Sequence, residues 1–230
     1  MDHRTFVLCL ASGLLATTTC VYGVKFLKKR NYLLGLEWLI VTVSSTNALI
    51  YFATGFEISG LVSHVLDAFS RGFGMPIVAV AGLMAVTHGY KPTARQDVAL
   101  FAMSFAGTAV LVGAGFVAKV LPYFYVVMWA LLSIYLAYFV RRLLRAGQLF
   151  HAMTTTVALV ASQAIACIYD FYPIPGDAHN VVFNFFVLAL VTWSYVTVVL
   201  YYAYGALERA NRTASAGEIR SARDPHRRLA

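Results

Sequence analysis

Between Ser59 and Arg71 the polar residues are Ser59, Ser63, His64, Asp67, Ser70 and Arg71. Wound as a helix at about 100° per residue, they share one stripe. Leu61, Val62, Val65, Leu66 and Phe69 take the opposite side. Asp67 and Arg71 are an i,i+4 pair of opposite sign, and His64 lies one turn before Asp67. Asp170 and His179 bring a second carboxylate and a second imidazole later in the chain. Nitrogen and oxygen donors of this kind suit zinc, so His64, Asp67, Asp170 and His179 are the candidate metal ligands. Glu37, His64, Asp67 and Asp170 are the candidates for acid–base chemistry. A guanidinium is equally a receptor for an anion. In that reading Arg71 attracts an anionic group, Asp67 holds Arg71 in place, and Asn47 and Asn184 supply hydrogen bonds. The candidate ligand-binding set is then Asn47, His64, Asp67, Arg71, Asp170, His179 and Asn184. Imidazoles titrate near neutrality, so His64 and His179 could make such a site pH-dependent.

The elements that must carry these groups are membrane spans. The chain is 60% hydrophobic and 12% charged, about half the charged fraction of a soluble domain. In water such a globule would expose large apolar patches. Seven apolar runs approach the length a bilayer demands: about 5–24, 33–53, 70–88, 98–117, 121–140, 152–171 and 181–205. Of the 18 Lys and Arg residues, all but Arg4, Arg71 and Lys119 fall in four segments. These are Lys25–Arg30, Lys91–Arg95, Arg141–Arg145 and the tail from Arg209. They follow spans one, three, five and seven, so the bias of basic loops toward the cytoplasm puts the amino terminus outside and the carboxyl end inside. The expected fold is therefore all-α, a seven-helix bundle over residues 1–207 in a membrane, the bacterial inner membrane being the expected one. A basic tail, 208–230, is polar enough for disorder. The first run has its basic cluster behind it, the reverse of a secretion signal.

Two placements suit the Ser59–Arg71 stripe. On a long tilted third helix it faces a cavity; if the span starts near Ser70, it is an amphipathic helix on the outer leaflet. Other spans carry polar stripes as well: Glu37, Ser44, Asn47 and Tyr51 in the second, Thr156, Gln163, Cys167 and Asp170 in the sixth, and His179, Asn180 and Asn184 at the start of the seventh. Convergent stripes would line a cavity open to the outside, between spans two, three, six and seven. The similar spacing from Lys28–Arg30 to His64 and from Arg141–Arg145 to His179 suggests two three-span repeats around a linker span.

Several function classes drop out. The net charge of +8 sits in short loops with no basic, aromatic-interleaved stripe, so nucleic acid is not the expected partner. Cys9, Cys20 and Cys167 lie inside apolar runs and form no disulfide framework. His64 and His88 are about 36 Å apart along a helix, which places paired haem ligands at the membrane surfaces. The last span has no Lys for a retinal-type Schiff base, and no cofactor is strongly indicated. The expected partners are the lipid bilayer and a small molecule, with a protein partner or a second copy of the chain left open.

The layout resembles the SWEET and PQ-loop class of small-solute carriers. It shares seven spans in three-one-three order, with the stretch Lys29–Gly55, including Asn47 and Tyr51–Gly55, similar to the first half of their unit. The chain departs from that class in having no Pro-Gln pair and no proline in spans one, two or six. Glu37–Trp38 is a partial counterpart of the acidic residue beside Trp in the small seven-span terpene cyclases, whose last-span acidic residue is missing here. No family follows from either likeness. The leading expectation is a membrane protein that binds or moves a small solute. The alternatives are a membrane enzyme acting on a lipid or isoprenoid, and a sensory or assembly subunit without a site of its own.

Overall fold

The computed structural model describes residues 3–171 and 185–223, which are helical throughout apart from short connections, with no strand among them. In chain order the elements are α1 (His3–Lys28), α2 (Tyr32–Thr54), α3 (Glu57–Phe69), a π-helical stretch (Ser70–Ala79), α4 (Val80–Thr87), α5 (Ala94–Gly113), a 3-10 turn (Gly115–Val117), α6 (Leu121–Arg145), α7 (Leu149–Ile168) and α8 (Phe185–Arg223). α3, the π stretch and α4 are one continuous rod. Counted that way, seven helices are long and apolar enough to cross a membrane, and the chain fits an integral membrane protein.

Local chemistry sets the boundaries. Asn31 caps α2, its Oδ1 accepting from the Leu34 N–H at 3.2 Å, and Gly55 ends that helix in the left-handed region at φ 74°, where an L side chain is strained. Thr93 and Gln96 form a capping box before α5. The helices are apolar on their outer faces too. Tyr123, Val127, Leu131 and Ile134 make an exposed ridge along α6 at three- and four-residue spacing, which hydrocarbon covers better than water.

Two boundaries differ from those read in the sequence. The third span starts at Glu57 rather than near residue 70. Its early turns carry the polar residues Ser63, His64 and Asp67, which line the cavity described below. Gly60 tolerates the helix because the Tyr51 ring packs on it, 2.9 Å from where a Cβ would stand. At the other end, α8 runs on to Arg223, past the end of the apolar run at about residue 205. Glu208 holds the helix to Lys29 (2.5 Å) and pairs along it with Arg212 (3.0 Å).

The core runs between α1, α2, α4, α6, α7 and α8 around Phe26, Leu34, Trp38, Leu83, Leu136, Phe139 and Leu200. α1 and α2 approach closely where Gly35 meets Leu27; a Cβ there would stand 2.5 Å from Leu27 Cδ2. α5 is peripheral, with only Ser104 and Thr108 buried, and it joins the bundle through Phe69, stacked on Phe105 with centroids 4.2 Å apart. Gly107 of α5 receives the Phe73 ring, while Gly113 and Gly115 have open surroundings.

The ends of α1, α4 and α6 gather with the later part of α8. The last carbonyls of a helix have no intrahelical donor, and those of α4 are met by neighbours: Asn211 Nδ2 donates to Val86 O at 2.7 Å and Arg142 Nη1 to Thr87 O at 2.5 Å. Asn211→Ala is therefore expected to cost about 1–2 kcal/mol. Asn211→Asp, which turns an acceptor on that carbonyl, is expected to cost more. Thermal unfolding in one detergent checks the order, and wild-type melting of both variants would exclude the capping role.

Candidate functional site

The inward stripe of α3 and the π stretch borders a cavity of about 730 Å³. Ser63, His64, Asp67, Ser70 and Arg71 all line it, with Glu57 at its rim. α2 adds Ser44, Ser45, Tyr51 and Phe52, and α6 adds Tyr125 and Trp129. Tyr169 and Asp170, just past α7, and Trp193 of α8 complete the wall. The π stretch lies along this space, with Ser70, Arg71 and Met75 in the lining. Pro76 lacks an N–H, Gly72 and Gly74 lack side chains, and wide turns of this type are frequent at functional sites.

Arg71 organises the charged end. Its guanidinium lies between the rings of Tyr125 and Tyr169, 4.1 and 4.5 Å from their centroids. It donates to Asp170 Oδ2 and stands 3.7 Å from Asp67 Oδ2. Two carboxylates and two ring faces thus replace the water it has lost. The Arg71 side chain is 8% exposed, against 28% for Asp67 and 23% for Asp170. The cation is the less accessible member of the three. Arg71 was the candidate receptor for an anionic group; it lines the cavity with one donor on Asp170 and both carboxylates beside it. His64 is exposed and close enough to Asp67 to act on its charge.

The remaining candidates sort by position. Asn47 does not line the cavity. It stands about 100° round α2 from the lining residue Ala48, and its Nδ2 donates to Val43 O of its own helix at 2.8 Å. Glu37 also lies outside the wall. It is fully buried against Gly74, where a Cβ would overlap its carboxyl. Its oxygens, and the hydroxyl of neighbouring Ser70, find no hydrogen-bond partner among the described residues. His179 and Asn184 lie outside the described residues. Among those described, no three His, Cys, Asp or Glu side chains come together as a metal site. His64, Asp67 and Asp170 share the cavity, but both carboxylates are turned on Arg71.

The aromatic wall is what the sequence reading missed. Nothing in the spacing of Tyr125 or of the tryptophans ties them to the polar stripes. All three tryptophans of the chain, Trp38, Trp129 and Trp193, line the cavity. Trp129 and Trp193 stack with centroids 6.0 Å apart, and Tyr169 lies 6.4 Å from Trp193. A signal was present, since each Trp stands more than a turn inside its span, away from the interfaces such rings favour. The result is a compartment with aromatic sides and one charged end, suited to hold an organic molecule with an apolar body and a polar head. No protein-family model, curated protein or solved structure matches this chain.

Proposed function

We propose that this integral membrane protein binds a small amphipathic solute in the cavity between α2, α3 with its π stretch, α6 and α8, and that the cavity opens on the extracytoplasmic side as a stage in moving that solute. The observation that carries the reading is the cavity itself. Its volume of about 730 Å³ falls within the range of ligand pockets, and it has their make-up of apolar walls with a few converging polar groups. The proposed orientation rests on the four basic segments, which the cytoplasmic bias would place on the face away from Glu57 and Asp67.

Because every tryptophan borders the cavity, intrinsic fluorescence reports its occupancy. Triphenylphosphine oxide, a neutral aromatic solute with one polar end, is expected to shift or quench the emission of the purified protein in nanodiscs with a saturable dependence. Ala48 is buried at the wall, so Ala48→Phe puts a ring into the space. That variant is expected to melt close to the wild type and to lose the saturable component by at least roughly tenfold in affinity. Equal binding by wild type and Ala48→Phe would place the solute in lipid and reject the site.

A further inference from the structure

We infer that the cavity selects organic cations, a hydrophobic ammonium or phosphonium head on an apolar body, over neutral and anionic solutes of the same shape. The inference rests on the reading of the cavity as a solute site and adds the charge class.

Three observations carry it. The ionisable residues of the lining, apart from His64 and the tyrosines, are three carboxylates, Glu57, Asp67 and Asp170, and one guanidinium, Arg71. With His64 neutral, the lining holds two formal negative charges in excess. Exposure sharpens this imbalance. Arg71 is withdrawn behind Tyr125 and Tyr169, whereas the Asp67 and Asp170 side chains keep about three times its fractional exposure. A solute entering the space therefore finds the two carboxylates more accessible than the guanidinium. Finally, the walls are aromatic, and the faces of Trp and Tyr rings are the negative part of their quadrupole, attractive to a cation and repulsive to an anion. Arg71 already uses two of these rings in that way, so the site demonstrates on its own side chain the interaction it would offer a solute. Both effects strengthen where water is excluded.

The test compares ions of nearly identical size and surface and opposite charge. Tetraphenylphosphonium and tetraphenylborate are titrated against the protein in nanodiscs, with tryptophan fluorescence as the readout and Ala48→Phe as the reference that subtracts partition into lipid. The expected result is saturable binding of tetraphenylphosphonium at least roughly tenfold tighter than tetraphenylborate. Glu57→Gln and Asp67→Asn, alone and together, should erode that ratio. Glu57 is exposed at the rim, so its variant folds irrespective of the fate of the second. Saturable binding of the neutral probe together with equal or tighter binding of the borate overturns the charge class and leaves the solute site standing. A cation preference that both variants leave intact overturns the assignment to these carboxylates. Absence of Ala48-sensitive binding by all three probes overturns the solute site and the inference together.

Discussion

Arg71→Ala is expected to destabilise the protein by about 3–5 kcal/mol, the range for removing one partner of a buried ion pair. The loss would be visible as a large fall in melting temperature in any detergent that preserves the wild type. The magnitude follows from what the side chain leaves behind. Asp170 reaches Arg71 across 99 residues of sequence and fastens the end of α7 to the π stretch, Asp67 closes the other side, and Tyr125 and Tyr169 enclose the guanidinium. Without it, two carboxylates face each other's charge and two rings lose their filling. Arg71→Lys is expected to recover only part of the loss, since an ammonium cannot lie flat between two rings while donating to Asp170. Arg71→Met combined with Asp67→Asn and Asp170→Asn should recover more, because removing a whole buried ionic set costs less than breaking it. If Arg71→Ala melts like the wild type, the guanidinium is not a strut, and a ligand-receiving role for it returns.

The contrast between Asp67 and Asp170 shows where sequence reading reaches its limit. Spacing alone exposes the Asp67–Arg71 pair, because i,i+4 neighbours on a helix must meet, and the stripe from Ser59 to Arg71 is legible for the same reason. The second partner depends on the depth at which α7 ends against the π stretch. That is settled by packing along the α6–α7 hairpin, on which no local pattern bears. The spans follow the same division. Tyr32–Thr54 is nearly the range read from hydropathy, since an apolar run between polar flanks carries its own boundaries. Glu57–Thr87 was cut short because a hydropathy reading treats inward polar residues as a reason to leave the membrane. Asn47 shares a broad arc of α2 with Glu37, Ser44 and Tyr51, but Glu37 faces Gly74 and only Ser44 and Tyr51 of that arc line the cavity. The tryptophans stayed hidden because an apolar ring in an apolar span breaks no pattern. Their convergence arises only when α2, α6 and α8 close around one space.

Glu37 also supplies the second large effect. Gly74→Ala is expected to cost about 1–3 kcal/mol by overpacking, although glycine to alanine within a helix ordinarily stabilises it. The methyl group would overlap the Glu37 carboxyl, which is fully buried. Glu37→Ala alone is expected to be mild. It removes packing atoms, yet it also removes two oxygens that have no hydrogen-bond partner among the described residues, and an unsatisfied buried polar group is itself a cost of about 1–3 kcal/mol. The informative measurement is the pair. In the Glu37→Ala background the new methyl enters the vacated volume, so Gly74→Ala should become nearly neutral, with a coupling of about 1–3 kcal/mol in the double-mutant cycle. Equal costs of Gly74→Ala in both backgrounds would mean that the carboxyl does not rest in the glycine notch, and the approach of α2 to the π stretch would need another cause. With coupling observed, the glycine is explained by its opposite number. The rod that positions Ser70 and Arg71 at the cavity keeps a gap at residue 74 because a carboxyl from α2 fills it.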